Sequence, residues 1–319
     1  MMELFNNLNM ERAYEIALKI PEMDEIEISA LLTALELKGY TPEVIAGFCR
    51  AVLDRINLDL GEVFDTCGTG GDFANTINAS TAVAIATSIF APVAKHGNRA
   101  VSSKSGSADV LEKLGIKIDC NANEAKKMIQ ETNFVFLYAP LYHKSFAKVS
   151  KVRKKLKMKT IFNILGPLVN PANPKKQIVG VSSEKDLYKV AEAMVLINRR
   201  GIVVYGSGID EVNPNGETVV LLVKKEVEKI KLSPEDFGLK KSRIIPCSSS
   251  EESAFRVRAV LSGKGTEEDT NFIAINFATA LLALGYEDLK ENVEIFFENV
   301  ENQNFIRKLE EIVCASKSL

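Results

Sequence analysis

Apolar residues recur near helical spacing through roughly the first 60 positions, where Ile26, Ile28, Leu31, Leu32, Leu35 and Leu37 form a repeating stripe. Thr41-Pro42-Glu43 reads as the start of a further helix with proline in its first turn. No strand is evident in this segment. The pattern then changes. Glu62 to Thr66 reads as a short strand running into Cys67-Gly-Thr-Gly-Gly-Asp72, and Ser80 to Phe90 is apolar enough for a buried helix. Pro92-Val93-Ala94 predicts a second strand. A polar loop follows from Lys95 to Ser107, then a helix from about Ala108 to Leu114 that ends at Gly115. Phe134 to Leu137 and Gly201 to Tyr205 read as buried strands with helices between them. Such alternation predicts an α/β fold with a mostly parallel sheet covered on both faces.

Composition narrows the class. The 319 residues are 46% hydrophobic and 26% charged, enough to bury a sizeable core. With 40 Lys+Arg against 42 Asp+Glu the formal net charge is −2, so no bulk field points to nucleic acid or a membrane surface. The longest apolar stretch, Ala82 to Ala94, is well short of the roughly 20 residues that span a bilayer. Acidic Glu3 and Glu11 in the first stretch argue against a secretory signal, which gives cytoplasmic localisation as the expectation. Five widely spaced cysteines fit reduced thiols better than a disulfide framework or a zinc ribbon. Only two histidines, His96 and His143, are present, which removes most histidine-based hydrolytic chemistry.

The candidate chemistry lies in glycine- and donor-rich loops. Asp65-Thr-Cys-Gly-Thr-Gly-Gly-Asp72 places glycines between a strand and a helix, where backbone N–H groups can cradle a phosphate. It matches neither a Walker A loop nor a GxGxxG fingerprint. Asn78-Ala-Ser-Thr81 stands at a predicted helix start, where it reads equally as a cap. Lys95 to Ser107 adds Lys95, Arg99 and Lys104 with four serines. These three loops would converge at the carboxyl ends of the sheet, where open α/β folds bind ligands, and they suit a ligand carrying several phosphates. Asp210-Glu211, beyond another predicted strand, is a carboxylate pair suited to Mg²⁺.

Together, Gly68-Thr-Gly-Gly-Asp72, Asn78-Ala-Ser-Thr81, Lys95-His-Gly-Asn-Arg99, Ser105 to Glu112, Thr160 to Leu168 with Asn170-Pro171, and Asp210-Glu211 resemble, in order, the signatures of the anthranilate phosphoribosyltransferases. The N-terminal Ile28 to Gly39 and the late Asp269 to Asn276 segment extend the resemblance over nearly the whole chain. It implies a small N-terminal helical domain, residues 1–62 completed by helices near 164–195, hinged to a large α/β catalytic domain, residues 63–319, of nucleoside phosphorylase/phosphoribosyltransferase-like plan. It implies transfer of the phosphoribosyl group from 5-phosphoribosyl diphosphate to the amine of anthranilate, in tryptophan biosynthesis, by a homodimer. Carried over by position, Gly68, Gly71, Asp72, Thr76, Asn78, Ala79, Ser80, Thr81, Lys95, His96, Gly97, Asn98, Arg99, Ala100, Val101, Ser102, Ser103 and Ser107 would hold the diphosphate substrate. Gly68, Asn98, His143 and Arg153 would meet anthranilate, and Ser80, Asp210 and Glu211 would serve Mg²⁺. The amine needs no strong base at neutral pH, so catalysis can rest on positioning and on stabilising the departing diphosphate.

The chain departs from the family after His143, where Lys144-Ser-Phe-Ala147 replaces the usual Pro, small residue, Met and Lys, and Lys151 replaces a usual Pro. Lys159 replaces a usual Arg, Ala79 stands for Ile or Val, and Tyr205-Gly-Ser-Gly-Ile replaces a His-Gly-x-Asp-Gly lead-in. Pyrimidine nucleoside phosphorylases share the two-domain plan, but their extended glycine-threonine motif is missing. A nucleic-acid-binding reading of the basic run Lys148 to Lys159 is opposed by retention of the glycine loop and the acidic pair.

Overall fold

The computed structural model describes residues 8–71, 75–100 and 104–319. The chain opens with three helices whose starts follow from their caps. Asn9 accepts the Arg12 N–H at the head of α1 (Met10–Lys19), Asp24 and Glu27 cap α2 (Glu25–Lys38) reciprocally, and Pro42 occupies the first turn of α3 (Pro42–Leu53). Strand and helix then alternate: β1 (Phe64–Gly68), α4 (Ala79–Thr87), β2 (Val93–Gly97), α5 (Ser107–Leu114), α6 (Ala122–Thr132) and β3 (Phe134–Tyr138). Gly115 ends α5 in the left-handed region, as its place in the sequence predicts. Next come α7 (Ala139–Tyr142), α8 (Ala147–Leu156), α9 (Ile161–Leu168), β4 (Lys176–Gly180), α10 (Glu184–Leu196) and β5 (Arg200–Tyr205). Two further strands, β6 (Thr218–Val223) and β7 (Val227–Leu232), precede α11 (Ser250–Leu261), α12 (Glu267–Leu284), α13 (Leu289–Glu301) and α14 (Asn304–Lys317).

The seven strands form one sheet in the order β3-β2-β1-β4-β5-β6-β7. The pairs from β3 through to β5 are parallel, and β6 and β7 add an antiparallel edge. Successive strands are laid outward from β1 in one direction and from β4 in the other, so the order reverses between β1 and β4. Such a switch point opens a crevice at the carboxyl ends of the strands. Here Gly68 of β1 is in register with Gly180 of β4.

Period-two burial sends alternate residues of the central strands into two cores. Ile178, Ile202, Val204 and Val220 join a core built with α4, α12, α13 and α14. Val179, Val203, Val219 and Leu221 join a second core with α1, α2, α3, α8, α9 and α10, centred on side chains such as Phe48, Leu32, Leu165 and Met194. Among the described residues, no single helix is long and apolar enough to cross a membrane.

Two expectations change. Between Phe134 and Gly201, α9 and α10 pack in the second core, and β4 between them is a central strand. Its Lys-Gln-Ile-Val-Gly carries only two large apolar residues, too few to mark it in sequence. The interval from Phe134 to Gly201 therefore holds a strand as well as helices. The expected loop from Lys95 to Ser107 is also shorter, because Lys95-His96-Gly97 completes β2, with Lys95 and His96 buried, and Ser107 opens α5.

Candidate active site

A cleft of about 1030 Å³ lies at the carboxyl edge of the sheet, between the strand ends and the α8–α9 wall. Four loops reach it. The glycine loop follows β1, the Asn78 turn precedes α4, Asn98 to Ala100 and Lys104 to Gly106 lie between β2 and α5, and Asp210-Glu211 follows β5.

The close approach of the glycine loop to Asp210 is steric as well as polar. A Cβ on Gly68 would lie 2.1 Å from Asp210 Oδ2, and the Gly70 N–H donates to that same oxygen at 2.7 Å. Gly180 on the neighbouring strand runs so close under the Asp210 carbonyl that a side chain there is excluded. Asn276 of α12 pins the loop from behind, accepting the Val212 N–H at 2.9 Å and donating to the Val212 carbonyl at 3.2 Å. Both carboxylates of the pair thus line the cleft on a fixed backbone.

At the head of α4, Asn78 Oδ1 accepts the Thr81 N–H at 3.3 Å and the Thr81 hydroxyl at 2.5 Å, so the capping role is real. Ser80 faces the cleft, and its Oγ accepts from Lys95 Nζ at 3.0 Å. Lys95 also donates to the Thr66 carbonyl at 2.8 Å. Burial holds this ammonium below its usual range, opposed by Cys67, Asp65, Glu211 and Asp210. Asp65 itself is fully buried. It accepts from the His96 N–H at 3.2 Å and from Asn170 Nδ2 at 2.8 Å, and burial pushes its carboxyl up despite Lys95 nearby.

On the opposite side, His143 and Arg153 come from the segment between β3 and α9. The His143 and His96 Nε2 atoms are 3.3 Å apart, with the rings edge to face at 71°. Burial lowers both imidazoles, His96 well below its ordinary value and His143 to about 4, so both are neutral near pH 7. Arg153 projects from α8 and donates from Nη2 to Asn163 Oδ1 at 3.1 Å, while its Nε is buried without a hydrogen-bond partner. Among the described residues no carboxylate is ion-paired with it, and burial alone lowers its pKa. Phe146, packed against Phe162, forms the adjoining apolar wall.

The cleft brings together Gly68, Gly71, Thr76, Asn78, Ser80, Lys95, His96, Gly97, Asn98, Arg99, Ala100, Ser107, His143, Arg153, Asp210 and Glu211. It does not bring in the side chains of Ala79 and Thr81, which are buried in α4. Arg99 borders the cleft, but its guanidinium is engaged by Asp109 at 3.1 Å and by Glu112 at 2.5 Å and 2.8 Å. Asp72, Val101, Ser102 and Ser103 lie outside the described residues. Asp65, Phe146, Asn163, Asn170 and Asn276 enter as supporting residues that the sequence assigned no role. Asn163, Asn170 and Asn276 stand within segments that carry the family resemblance, yet only their partners in space reveal what they hold.

Mg²⁺ fits this donor set. Asp210, Glu211 and Ser80 offer oxygen ligands, and the described residues hold no cluster of three or more His, Cys, Asp or Glu, so the remaining ligands would come from phosphate and water.

Comparison with known proteins agrees with this geometry. The model of the glycosyl transferase family a/b domain matches residues 60–302, and that of the same family's helical bundle domain matches residues 7–56. The chain is 62% identical over 317 residues to the tryptophan biosynthesis protein TrpCD of Archaeoglobus fulgidus, covering 99% of this chain but only 58% of that longer protein. It is 52% identical to the anthranilate phosphoribosyltransferase of Pyrococcus furiosus over 98% of this chain and 97% of that one. The structure of anthranilate phosphoribosyltransferase from Saccharomyces cerevisiae in complex with PRPP and Mg superposes with a TM-score of 0.87 at 31% identity, covering 97% of this chain and 93% of the yeast chain.

Proposed function

The chain belongs to the anthranilate phosphoribosyltransferases of the glycosyl transferase family, and we propose that its cleft carries out their reaction on the residues assembled above. The phosphoribosyl group of 5-phosphoribosyl diphosphate passes to the amine of anthranilate, giving N-(5-phosphoribosyl)anthranilate and diphosphate in tryptophan biosynthesis. The observation that carries the reading is one cleft with two unlike ends. One end offers a glycine loop, a buried ammonium and a carboxylate pair; the other offers a half-buried guanidinium beside an aromatic wall.

The polar end suits the diphosphate substrate. Gly68, Gly71 and the head of α4 present backbone and hydroxyl groups to phosphate, with Lys95 adding charge from beneath. Asp210, Glu211 and Ser80 would hold Mg²⁺, which supplies a Lewis acid for the charge growing on the leaving diphosphate. At the other end Arg153 takes the anthranilate carboxylate in a planar fork, while Phe146 and Phe162 face the ring. Asn98 and His143 border the path between these ends and help aim the amine at the anomeric carbon. Neutral His96 and His143 add no competing positive charge near a ribose that becomes cationic in the transition state. Positioning therefore does most of the work, without a strong base.

The exposed Ile26 and Leu37 on α2 support pairing of two copies through the helical segment, and the family resemblance supports a cytoplasmic homodimer. The test of the activity is the loss of anthranilate fluorescence on mixing protein, 5-phosphoribosyl diphosphate and Mg²⁺. The signal should fall with Mg²⁺ and hold steady with EDTA. A steady signal in both conditions would sink the assignment.

A further inference from the structure

Asn163 stands beside the half-buried Arg153, where a carboxylate could have paired with it. Arg153 lies against the α9 start and donates from Nη2 to the amide oxygen of Asn163 at 3.1 Å. That oxygen also accepts the Thr160 N–H at 3.0 Å. Two donors converging on one atom fix the amide orientation, because a flipped amide would set its NH₂ against both of them. The α9 first turn is pinned in return by the Asn163 N–H, which donates to the Thr160 carbonyl at 2.8 Å. The group that steadies Arg153 is thus part of a helix cap and is itself immobilised.

Buried charges are ordinarily paired, because an unpaired one is costly to desolvate. An Asp at position 163 could reach the same guanidinium and would neutralise it. The neutral Asn holds the fork in place while leaving its positive charge unspent, and burial lowers the Arg153 pKa with no opposing carboxylate. We propose that Asn163 is a positioning residue that reserves the Arg153 charge for the carboxylate of the acceptor, and so sets the preference for an acidic over an uncharged aromatic amine. The inference rests on the acceptor reading above and sharpens it.

The experiment compares anthranilate with its uncharged amide, 2-aminobenzamide, as acceptor or as competitor, in the full chain with saturating 5-phosphoribosyl diphosphate and Mg²⁺. The unmodified protein should favour anthranilate by at least about tenfold in KM or Ki. Asn163→Asp should pull that ratio toward one, through a higher KM for anthranilate, while the KM for the diphosphate substrate changes less than about twofold. Asn163→Ala, which loosens the fork but leaves its charge, should raise the anthranilate KM and keep the preference for the acid. An Asn163→Asp protein that keeps the full preference, or one that loses both acceptors equally, overturns the proposal. Should Asn163→Asp fail to fold by thermal melting, Asn163→Ala decides: an unchanged anthranilate KM overturns it. If the unmodified protein consumes no anthranilate at all, the acceptor reading fails instead, and the two failures are distinguished.

Discussion

His143 shows how much one residue's surroundings decide. Its imidazole titrates at about 4 in the folded chain, against about 6.5 for an unconstrained histidine. As the pH falls, the unfolded chain takes up that proton first, so the folded state loses stability between about pH 6.5 and 4 and keeps the full contribution above that window. The loss amounts to at most about 3 kcal/mol and shares its origin with His96, since a proton on either ring repels one on the other. Urea unfolding across this range should therefore slope more steeply for the native chain than for His143→Gln; parallel profiles would remove His143 as the cause. None of this could be read from the sequence, where two histidines 47 positions apart carry no sign that they touch. Arg153 was legible as a chemical group but not as a half-buried one, because its solvation depends on the α9 wall. Arg99 was legible as a cation, whereas its engagement by Asp109 and Glu112 belongs to the folded loop.

At the level of elements, β3 and β5 were legible as short apolar runs, whereas β1 and β2 carry few apolar residues and were legible from their place on either side of the apolar α4 segment, next to the glycine loop and the Lys95 loop. β4 was not, although it sits at the centre of the sheet: its burial comes from its neighbours, not from its own five residues. β6 and β7 form an antiparallel hairpin edge, which the βα alternation did not anticipate. The glycine loop itself was legible as a phosphate cradle, but the reason for Gly68 was not. It is the proximity of Asp210 across the switch point. Gly68→Ala should push Asp210 away from its place and lower kcat/KM by roughly a hundredfold, with Mg²⁺ unable to restore it at saturation. Steady-state kinetics over a Mg²⁺ series check this, and near-native turnover would show that the carboxylate can shift without consequence.

Across the whole molecule, the helices and the sheet are not energetically separate. Val179, Val203 and Leu221 lie in the same core as Phe48 and Leu32, with α9 and α10 packed between the N-terminal helices and that face of the sheet. Phe48, fully buried and edge to face with Phe162 at 6.5 Å, is a keystone of that core. Phe48→Ala should cost about 3–5 kcal/mol and lower the melting temperature of the entire chain in one transition. Calorimetry that resolved two transitions, only one of them shifted, would instead show helices melting independently of the sheet. The near-neutral overall charge could not have disclosed this arrangement, nor the concentration of useful charge in one crevice.

The interlocked trio of Gly68, Gly180 and Asp210 also limits how this protein can diverge. Each position is filled by the backbone or side chain of another, so a larger residue at either glycine demands a simultaneous retreat at Asp210. Selection working one substitution at a time finds no passable route there. The wall from Lys144 to Lys159 contains no glycine to be held in this way, and it is there that the chain departs most from its family's signatures. Directed libraries aimed at new aromatic acceptors should accordingly vary that wall and leave the three switch-point residues untouched.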